Sequence, residues 1–399
     1  MGKSSSTETS PRANDPMYEP PDGPATTVGQ LHVADGPARP RHPRLLAVLA
    51  LVVGIPATAA GVGIGIRYLQ KTGLTLDTVV GLTLLATGLL LLGYAATLGW
   101  TAVRSWWRLL LLPAALAVLV LVFWSAVAVM YAVAPPAALG PGTPAGVGLD
   151  HRDVTFNTSD GVELSAWLVP SRNGAAVVLK HGSGSTRTAT LRHAAVLAGH
   201  GYGVLMVDAR GHGRSGGEGM DIGWYGDADT TAAVDFLTRQ DDVDPAKVGI
   251  VGLSMGGEEA IGAAGADHRI GAVVAEGATG RTAADHEPVL PDSFAAVLQR
   301  GLDRYTYALT DLLTGASPPA SLHDSVAAAD DTAFFLVAAG TVEQEVLAAS
   351  DMRSAAPDRV QVWTVPDAGH MNALGTAPQQ WEQRVVRFLD DQLQPEPRP

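Results

Sequence analysis

Three long apolar runs in the first third of the chain place the strongest constraint on its fold. They cover Leu45–Ile66, Thr78–Leu98 and Leu109–Ala134, and none of them contains a charged residue. Each has at least about 20 residues, the length that an α-helix needs to cross the hydrocarbon core of a bilayer. Three buried helices of a soluble domain are the alternative, but uncharged runs of this length rarely follow one another in soluble folds. A cleaved signal peptide explains the first run poorly, because two more runs follow it. We therefore expect a membrane domain of three transmembrane helices over residues 44–134.

Basic residues beside the runs favour one orientation. Five lie before the first run or between the second and the third: Arg39, Arg41, Arg44, Arg104 and Arg108. The connection between the first two runs carries only Arg67 and Lys71, with Asp77 beside them. Because Lys and Arg accumulate on the cytoplasmic side, we expect the N-terminus inside. Three crossings then place everything after Ala134 outside the cytoplasm, in a multi-pass protein of the cell membrane.

Two segments of low apolar content border the membrane domain. Residues 1–43 are rich in Pro, Ser, Thr and Gly, cannot bury enough apolar surface to offset their ordering entropy, and are expected to form a disordered tail. Residues 135–149 are expected to form a linker, because the stretch "APPAALGPGTPAGVG" (134–148) has the Pro and Gly content typical of one.

Short apolar runs alternate with amphipathic stretches over residues 150–395. Val154–Phe156 and Leu164–Val169 predict a hairpin. Six further runs of strand length follow: "AAVVLKHG", "GVLMVDARG", "KVGIVGLS", "IGAVVAEG", "AFFLVAAG" and "RVQVWTVPDAGH". Helix-length segments separate them, near 191–199, 225–239, 258–266, 346–355 and 379–392. This alternation predicts an α/β fold, a mostly parallel doubly wound sheet with helices on both faces. Ligand sites in such sheets lie at the carboxyl ends of the strands.

The motif "GLSMG" places Ser254 where the fifth strand gives way to a helix. A turn this tight strains the serine backbone, and Gly252 and Gly256 would relieve clashes with the neighbouring strand and helix. This is the physical basis of the G-x-S-x-G spacing. The same pattern occurs by chance in glycine-rich loops, but its position between a strand and a helix indicates a nucleophile.

A serine hydroxyl needs a base, and the base needs an orienting group. His370 alone among the histidines follows the last strand and precedes the last helix, so we expect it to be the base. An orienting carboxylate is expected after the strand "AFFLVAAG". Glu343, three residues past the glycine that ends this run, is our prediction. Its rivals are Glu345, Asp351 and Asp367.

Acyl transfer also requires donors for the developing oxyanion. The backbone N–H of Met255, just after the nucleophile, should be one donor. The N–H of Ser183, in the turn "LKHGSGST" after the third strand, should be the other. This turn lacks the Lys-Ser/Thr of a P-loop and the third glycine of a dinucleotide fingerprint, so we expect no nucleotide cofactor.

Residues 150–395 resemble the α/β-hydrolase superfamily. The similarity lies in four motifs in order: "HGSGS" (181–185), "DARGHGRSGG" (208–217), "GLSMGG" (252–257) and "DAGH" (367–370). Within the superfamily, the chain is most similar to the peptidase S9 and dienelactone hydrolase-like esterase branches. The resemblance implies that Ser254, Glu343 and His370 form a catalytic triad, with Met255 and Ser183 as the oxyanion hole. Many relatives carry Asp where we assign Glu343.

Residues 277–329 would form a cap in this superfamily. They carry apolar residues at loosely helical spacing, which we expect to be core contacts more than a substrate groove: Phe294, Leu298, Leu302, Tyr305, Tyr307, Leu309 and Leu312. Asp285 and His286 lack further ligands at metal-binding spacing, so we expect no metal. The chain has no cysteine.

The net charge of −13 argues against a nucleic-acid partner, since residues 135–399 carry 18 Lys and Arg against 34 Asp and Glu. We expect a membrane-anchored serine hydrolase acting on a small-molecule or peptide acyl substrate. An ester is preferred over an amide, because no acidic pair that would recognise an amine is evident. A peptidase or acyltransferase with the same triad remains open, as does a non-catalytic membrane receptor built on this fold.

Overall fold

The computed structural model describes residues 42–291 and 293–394. The predicted disordered tail, residues 1–43, lies almost entirely outside the described residues, and so do Arg39 and Arg41.

Three helices in the described part of the chain are long and apolar enough to cross a membrane: Pro43–Thr72, Leu76–Ala102 and Ser105–Ala132. The first consists of α1 (Pro43–Ala60), a π-helical turn (Gly61–Ile66) and α2 (Arg67–Thr72); the second is α3 (Leu76–Ala102). The third is a 3₁₀ turn (Ser105–Leu110) followed by α4 (Leu111–Ala132). These helices contain the first two predicted apolar runs and the third as far as Ala132.

Small residues bring the first two membrane helices into contact. A Cβ on Gly65 would lie 2.6 Å from the backbone of Gly81, and a Cβ on Gly88 would lie 2.5 Å from the Thr58 nitrogen. Since lipid leaves no hydrophobic driving force between helices, such close backbone approach supplies the packing energy instead.

The second part of the chain, which we call the sheet domain, is built on eight strands in the order β1-β2-β4-β3-β5-β6-β7-β8. The strands are β1 (Arg152–Asn157), β2 (Glu163–Val169), β3 (Ala176–Lys180), β4 (Gly203–Val207), β5 (Val248–Leu253), β6 (Ile270–Glu276), β7 (Ala333–Ala339) and β8 (Val360–Val365). β1 and β2 form an antiparallel hairpin, β2 pairs antiparallel with β4, and β3 to β8 are parallel. Every predicted strand is present.

Helices connect the strands and cover the sheet on both faces. They are α5 (Leu191–Gly199), α6 (Gly226–Leu237), α7 (Met255–Ala264), α8 (Ala283–His286), α9 (Phe294–Leu313), α10 (Leu322–Ala328), α11 (Glu343–Ala355), α12 (Ala373–Thr376) and α13 (Pro378–Leu393). One buried apolar cluster joins the sheet to α6, α7, α10 and α11, and a second joins its other face to α5 and α13. The continuous apolar runs of β3 to β7 are explained by burial on both sides.

The segment predicted as a cap, residues 277–329, contains α8, α9 and α10. The expectation that its apolar residues are core contacts is wrong for most of them. Tyr307 is buried, but Phe294, Leu298, Tyr305 and Leu312 are exposed. The apolar stripe of α9 is real, but most of it points away from the protein core.

Candidate active site

The turn between β5 and α7 holds Ser254 in a strained backbone conformation. Its φ is 51° and its ψ is −121°, a region that L-residues rarely occupy. A Cβ on Gly252 would lie 2.2 Å from the Gly256 carbonyl oxygen, and a Cβ on Gly256 would lie 2.7 Å from the His181 carbonyl oxygen. Both flanking positions therefore require glycine, as the sequence pattern predicted.

Ser254 and His370 are in hydrogen-bond contact. The distance from Ser254 Oγ to His370 Nε2 is 2.9 Å, although the two residues are 116 positions apart in the sequence. His370 lies in the connection between β8 and α12, and its side chain is 42% exposed. The structure thus brings together the predicted nucleophile and the predicted base, and leaves the imidazole open to an incoming molecule.

The carboxylate that contacts His370 belongs to Glu345, not to Glu343. Glu345 Oε1 lies 2.6 Å from His370 Nδ1, and Oε2 accepts the N–H of Ala339 at 2.7 Å. The choice of Glu343 assumed an extended loop after β7. Instead α11 begins at Glu343, so that this first-turn side chain is exposed, whereas Glu345 is buried and faces back to the strand end.

The other two rivals for this role do not reach the imidazole. Asp351 Oδ2 lies 3.2 Å from His323 Nδ1, and Asp367 is exposed beside the final turn. Glu345 is therefore the carboxylate that the structure places on His370.

The carboxylate of Glu345 favours the protonated form of the His370 imidazole. The hydrogen bond with Glu345 raises the pKa of His370 above its usual value, while partial burial acts in the opposite direction. Glu345 itself is 1% exposed, so its interaction with the ring is poorly screened by water.

Two residues at the end of the sixth strand, Glu276 and Gly277, were not singled out by the sequence pattern and adjoin the imidazole or the segment after it. Gly277 has a φ of 77°, and a Cβ there would lie 3.0 Å from both Nδ1 and Cε1 of His370. Glu276 accepts the N–H of Ala373 at 2.7 Å and the indole N–H of Trp381 at 3.1 Å, which ties β6 to the segment after His370. Burial raises the pKa of the Glu276 carboxyl. In the sequence, the one sign of these contacts is the "AEG" that ends the run "IGAVVAEG".

The turn after β3 orients the N–H of Ser183. His181 Nδ1 lies 2.8 Å from the Gly182 carbonyl oxygen, and Nε2 accepts the N–H of Ala209 at 3.0 Å. Burial lowers the pKa of His181 to about 3, so the ring is neutral and Nδ1 carries the proton. Because C=O and N–H point in opposite directions across a trans peptide, fixing the Gly182 carbonyl also fixes the direction of the Ser183 N–H.

Both predicted oxyanion donors are available. Met255 is the first residue of α7, where backbone N–H groups have no partner within the helix. Within residues 42–291 and 293–394, neither the Met255 nor the Ser183 N–H donates to a protein acceptor. Gly182 packs against the Leu253 carbonyl, with 3.4 Å to a Cβ placed on it, so this turn adjoins the serine elbow.

Asp221 connects this turn to the first membrane helix. Its Oδ1 accepts the Ser183 hydroxyl at 2.8 Å, and its Oδ2 pairs with the Arg67 guanidinium. Arg67 Nη1 also donates to the carbonyls of Met130 and Val133, at 2.8 and 3.1 Å, at the end of α4. No sequence motif indicates this link, since it joins residues 154 positions apart.

Asp285 and His286 have structural contacts. Asp285 accepts the N–H of Thr282 at 2.9 Å and the N–H of Leu322 at 2.6 Å, and His286 Nε2 lies 3.1 Å from the Tyr307 hydroxyl. Among the described residues, no group of three or more His, Asp or Glu side chains is placed to hold a metal ion.

Comparisons with known proteins identify hydrolases as similar to this chain. The model of the serine aminopeptidase family S33 matches residues 171–353. An esterase of Pyrococcus furiosus superposes with a TM-score of 0.52 at 25% identity, covering 65% of this chain and 100% of that structure. The chain contains an α/β-hydrolase domain. The predicted superfamily and fold class are thus confirmed.

Curated relatives are similar to part of this chain. An uncharacterized protein of Mycobacterium tuberculosis is 37% identical over 116 residues, which are 28% of this chain and 41% of that protein. A thiohydrolase of Aspergillus aculeatus is 35% identical over 135 residues, 31% of this chain and 40% of that enzyme. The chain therefore matches about two fifths of the length of these relatives. The S33 match includes Ser254 and Glu345 and ends before His370.

Proposed function

We propose that this chain is a membrane-anchored serine hydrolase that cleaves acyl esters through Ser254, His370 and Glu345. The observation that carries the proposal is the continuous contact from Ser254 Oγ to His370 Nε2, 2.9 Å, and from His370 Nδ1 to Glu345, 2.6 Å. This is the arrangement by which a serine hydroxyl is activated for attack on a carbonyl carbon.

The reaction would proceed in two halves. Ser254 Oγ attacks the acyl carbon as its proton passes to His370 Nε2, and the negative carbonyl oxygen is held by the N–H groups of Met255 and Ser183. Collapse of this intermediate expels the alcohol, which takes the proton from His370, and leaves an acyl-enzyme. Water, deprotonated by the same imidazole, then releases the acid. Glu345 keeps the Nδ1 proton in place and stabilises the imidazolium in both halves.

The hydrogen bonds and ion pairs of the nearby carboxylates support an ester substrate more than an aminopeptidase substrate, despite the S33 match. Glu258 Oε1 accepts the N–H groups of Thr279 and Gly280, both at 3.0 Å. Glu276 is occupied by two N–H groups, and Asp221 by Arg67 and Ser183. These carboxylates are therefore already neutralised or hydrogen-bonded, and an aminopeptidase would need a free one for the substrate amine.

The similarity to a fungal thiohydrolase and an archaeal esterase points in the same direction, because both names denote acyl hydrolysis with a leaving group other than an amine. An acyltransferase would use the same three residues with another acceptor in place of water. A comparison of p-nitrophenyl esters with aminoacyl p-nitroanilides separates the ester from the peptidase proposal.

A fluorophosphonate probe tests the serine directly. The full-length chain in detergent should be labelled, and Ser254→Ala should abolish labelling. Ser185→Ala, which removes a hydroxyl from the neighbouring turn, is a matched control that should retain it. Labelling that survives Ser254→Ala would refute the assignment, and a correctly folded chain that is never labelled would favour the non-catalytic receptor.

We further propose that the N-terminus is cytoplasmic and the hydrolase domain lies outside. The hydrolase domain contacts Arg67, near the end of the first span, so this end of the span and the domain share one side of the helices. The five flanking arginines that the sequence analysis assigned to the cytoplasm belong to the opposite side. Alkaline phosphatase fused after Pro399 should be active; inactive alkaline phosphatase together with a fluorescent cytoplasmic fusion would overturn the orientation.

A further inference from the structure

Helix α9 exposes apolar side chains and buries polar ones. Phe294 is 86% exposed and Leu312 is 80% exposed, whereas Asp303, Thr306 and Thr310 are buried. A surface helix of a soluble protein shows the reverse, with its apolar stripe facing the core. The outward face of α9 is therefore suited to an apolar environment.

The exposed apolar residues lie on one side of the helix. At 100° per residue they fall within an arc of about 160°, the width of a full amphipathic face. They are Phe294, Val297, Leu298, Tyr305, Leu312 and Leu313. Arg304 and Asp311 lie at one border of this arc, which we call the apolar face of α9.

Contacts with α4 place this face beside a membrane span. The Tyr305 hydroxyl lies 2.6 Å from Ser125 Oγ, and Thr310 Oγ1 donates to the Ala128 carbonyl at 3.3 Å. Both partners lie within the last eight residues of α4. Toward the start of α4, the side chains of the span are apolar and exposed, among them Leu112, Leu116, Leu119 and Phe123. The apolar face of α9 thus continues the surface that α4 offers to lipid.

We propose that α9 lies in the membrane interface, with its apolar face among the acyl chains of the leaflet on the side of the hydrolase domain. The helix buries its polar face on the protein and keeps Arg304 at the border, the arrangement of an interfacial amphipathic helix. On this geometry a bilayer, and no second protein, covers the exposed face.

The substrate class follows, and this step rests on the proposed function. The turn after β3 that carries Ser183, which we call the oxyanion turn, is tied through Asp221 to Arg67, near the end of the first span. A pocket of about 380 Å³ beside it has Arg67, Lys71, Ser183 and Gly184 among its lining residues. A site held beside the end of the first span meets molecules that are dissolved in the adjacent leaflet. The substrate is therefore an amphiphilic ester with a long acyl chain, taken from the membrane.

The absence of cysteine allows the lipid contact to be measured site by site. Single variants Leu298→Cys and Leu312→Cys would carry an environment-sensitive fluorophore in the full-length chain, reconstituted in phosphatidylcholine–phosphatidylglycerol vesicles containing doxyl-labelled lipid. Phe123→Cys on α4 is the positive control. Asp358→Cys, at an exposed position between α11 and β8, is the negative control. Quenching at Leu298 and Leu312 should exceed that at Asp358 by roughly threefold or more and approach that at Phe123.

Two results would overturn the membrane contact. One is quenching at Leu298 and Leu312 no stronger than at Asp358. The other is efficient disulfide crosslinking between two Leu312→Cys chains at high lipid dilution, which would make a second copy of the chain the occupant. Equal quenching at Arg304→Cys and Leu312→Cys would contradict an oriented face.

An activity comparison tests the substrate class separately. Leu298→Asp with Leu312→Asp should reduce hydrolysis of a long-chain ester embedded in vesicles by roughly tenfold, and leave a water-soluble short-chain ester unaffected. Equal rates on the vesicle ester in variant and wild type would refute the membrane substrate. If wild type hydrolysed neither ester while the fluorophores were quenched, the proposed function would fail and the lipid contact would stand.

Discussion

Replacing Glu345 by Gln should remove most of the hydrolytic rate by changing the tautomer of His370. Glu345 Oε2 accepts the N–H of Ala339 at 2.7 Å, while Oε1 lies 2.6 Å from Nδ1 of the imidazole. A Gln amide has one oxygen, and the Ala339 N–H claims it. The amide NH₂ then faces Nδ1, which must accept, so that the ring proton moves to Nε2. An imidazole protonated there cannot take the proton of Ser254.

The expected loss is large because both charge and tautomer change. Amide replacement of a triad carboxylate lowers kcat by roughly 10⁴-fold in serine hydrolases, which corresponds to about 5 kcal/mol of transition-state stabilisation. Ground-state binding does not use this carboxylate, so KM should change little. The remaining activity would come from the oxyanion donors and from substrate positioning.

The pH profile gives a second readout with a defined sign. The bond to Glu345 raises the pKa of His370, and the ring must be neutral to act as a base. Activity of the wild type should therefore rise with pH through this raised pKa. In Glu345→Gln the negative charge is gone, the pKa falls, and the acid limb of the residual kcat/KM should move to lower pH.

Glu343→Gln is the matched control, with the same chemistry two residues earlier on the same helix. Its side chain is exposed and makes no contact with the imidazole, so kcat should stay within about twofold of wild type. Thermal unfolding of both variants checks that they fold. A loss in Glu343→Gln equal to that in Glu345→Gln, or Glu345→Gln activity within tenfold of wild type, would refute the assignment.

Three further substitutions test contacts around the site. Gly277→Ala should lower kcat by about tenfold with little change in KM, because the new methyl displaces the imidazole, and an unchanged kcat would contradict the close approach. Asp221→Ala should lower kcat by roughly fivefold, the value of one orienting hydrogen bond near 1 kcal/mol, whereas Ser183→Ala, which keeps the backbone N–H, should have a smaller effect. In the wild type, the buried Lys180 ammonium lies 2.8 Å from the carboxylate of Glu259, and Glu259→Gln removes this counter-charge. The free energy of unfolding in detergent should therefore fall by about 3–5 kcal/mol, and adding Lys180→Met should recover most of the loss.

The sequence predicted those features that depend on local pattern. Continuous apolar runs identified all six parallel strands, because a strand buried on both faces leaves no polar positions. Ser254 and His370 were found because each follows a strand end, and the parallel arrangement brings such ends to one edge of the sheet.

The sequence did not predict features that depend on where a helix begins or on contacts between segments distant in the chain. The choice between Glu343 and Glu345 depends on the residue at which α11 begins, and boundaries are the least certain part of a pattern. Gly277 gains its role only from the final loop folding over β6. The apolar stripe of α9 was visible, but periodicity cannot tell a stripe that faces the core from one that faces lipid.

The contacts of Arg67 give a physical reason for keeping the hydrolase domain beside the apolar helices that we propose as its membrane anchor. The carbonyls of Met130 and Val133 lie at the end of α4, where helical carbonyls lack partners, and the guanidinium of Arg67 satisfies both. The same guanidinium pairs with Asp221, whose other oxygen holds the Ser183 hydroxyl in the oxyanion turn. The guanidinium of Arg67 thus caps the end of α4, forms an ion pair with Asp221 and restrains the proposed site. A flexible tether would need none of these contacts. Separation of the domain from the first apolar helix would leave Asp221 without its cation and the turn without this restraint, so this helix contributes to the geometry of the proposed site.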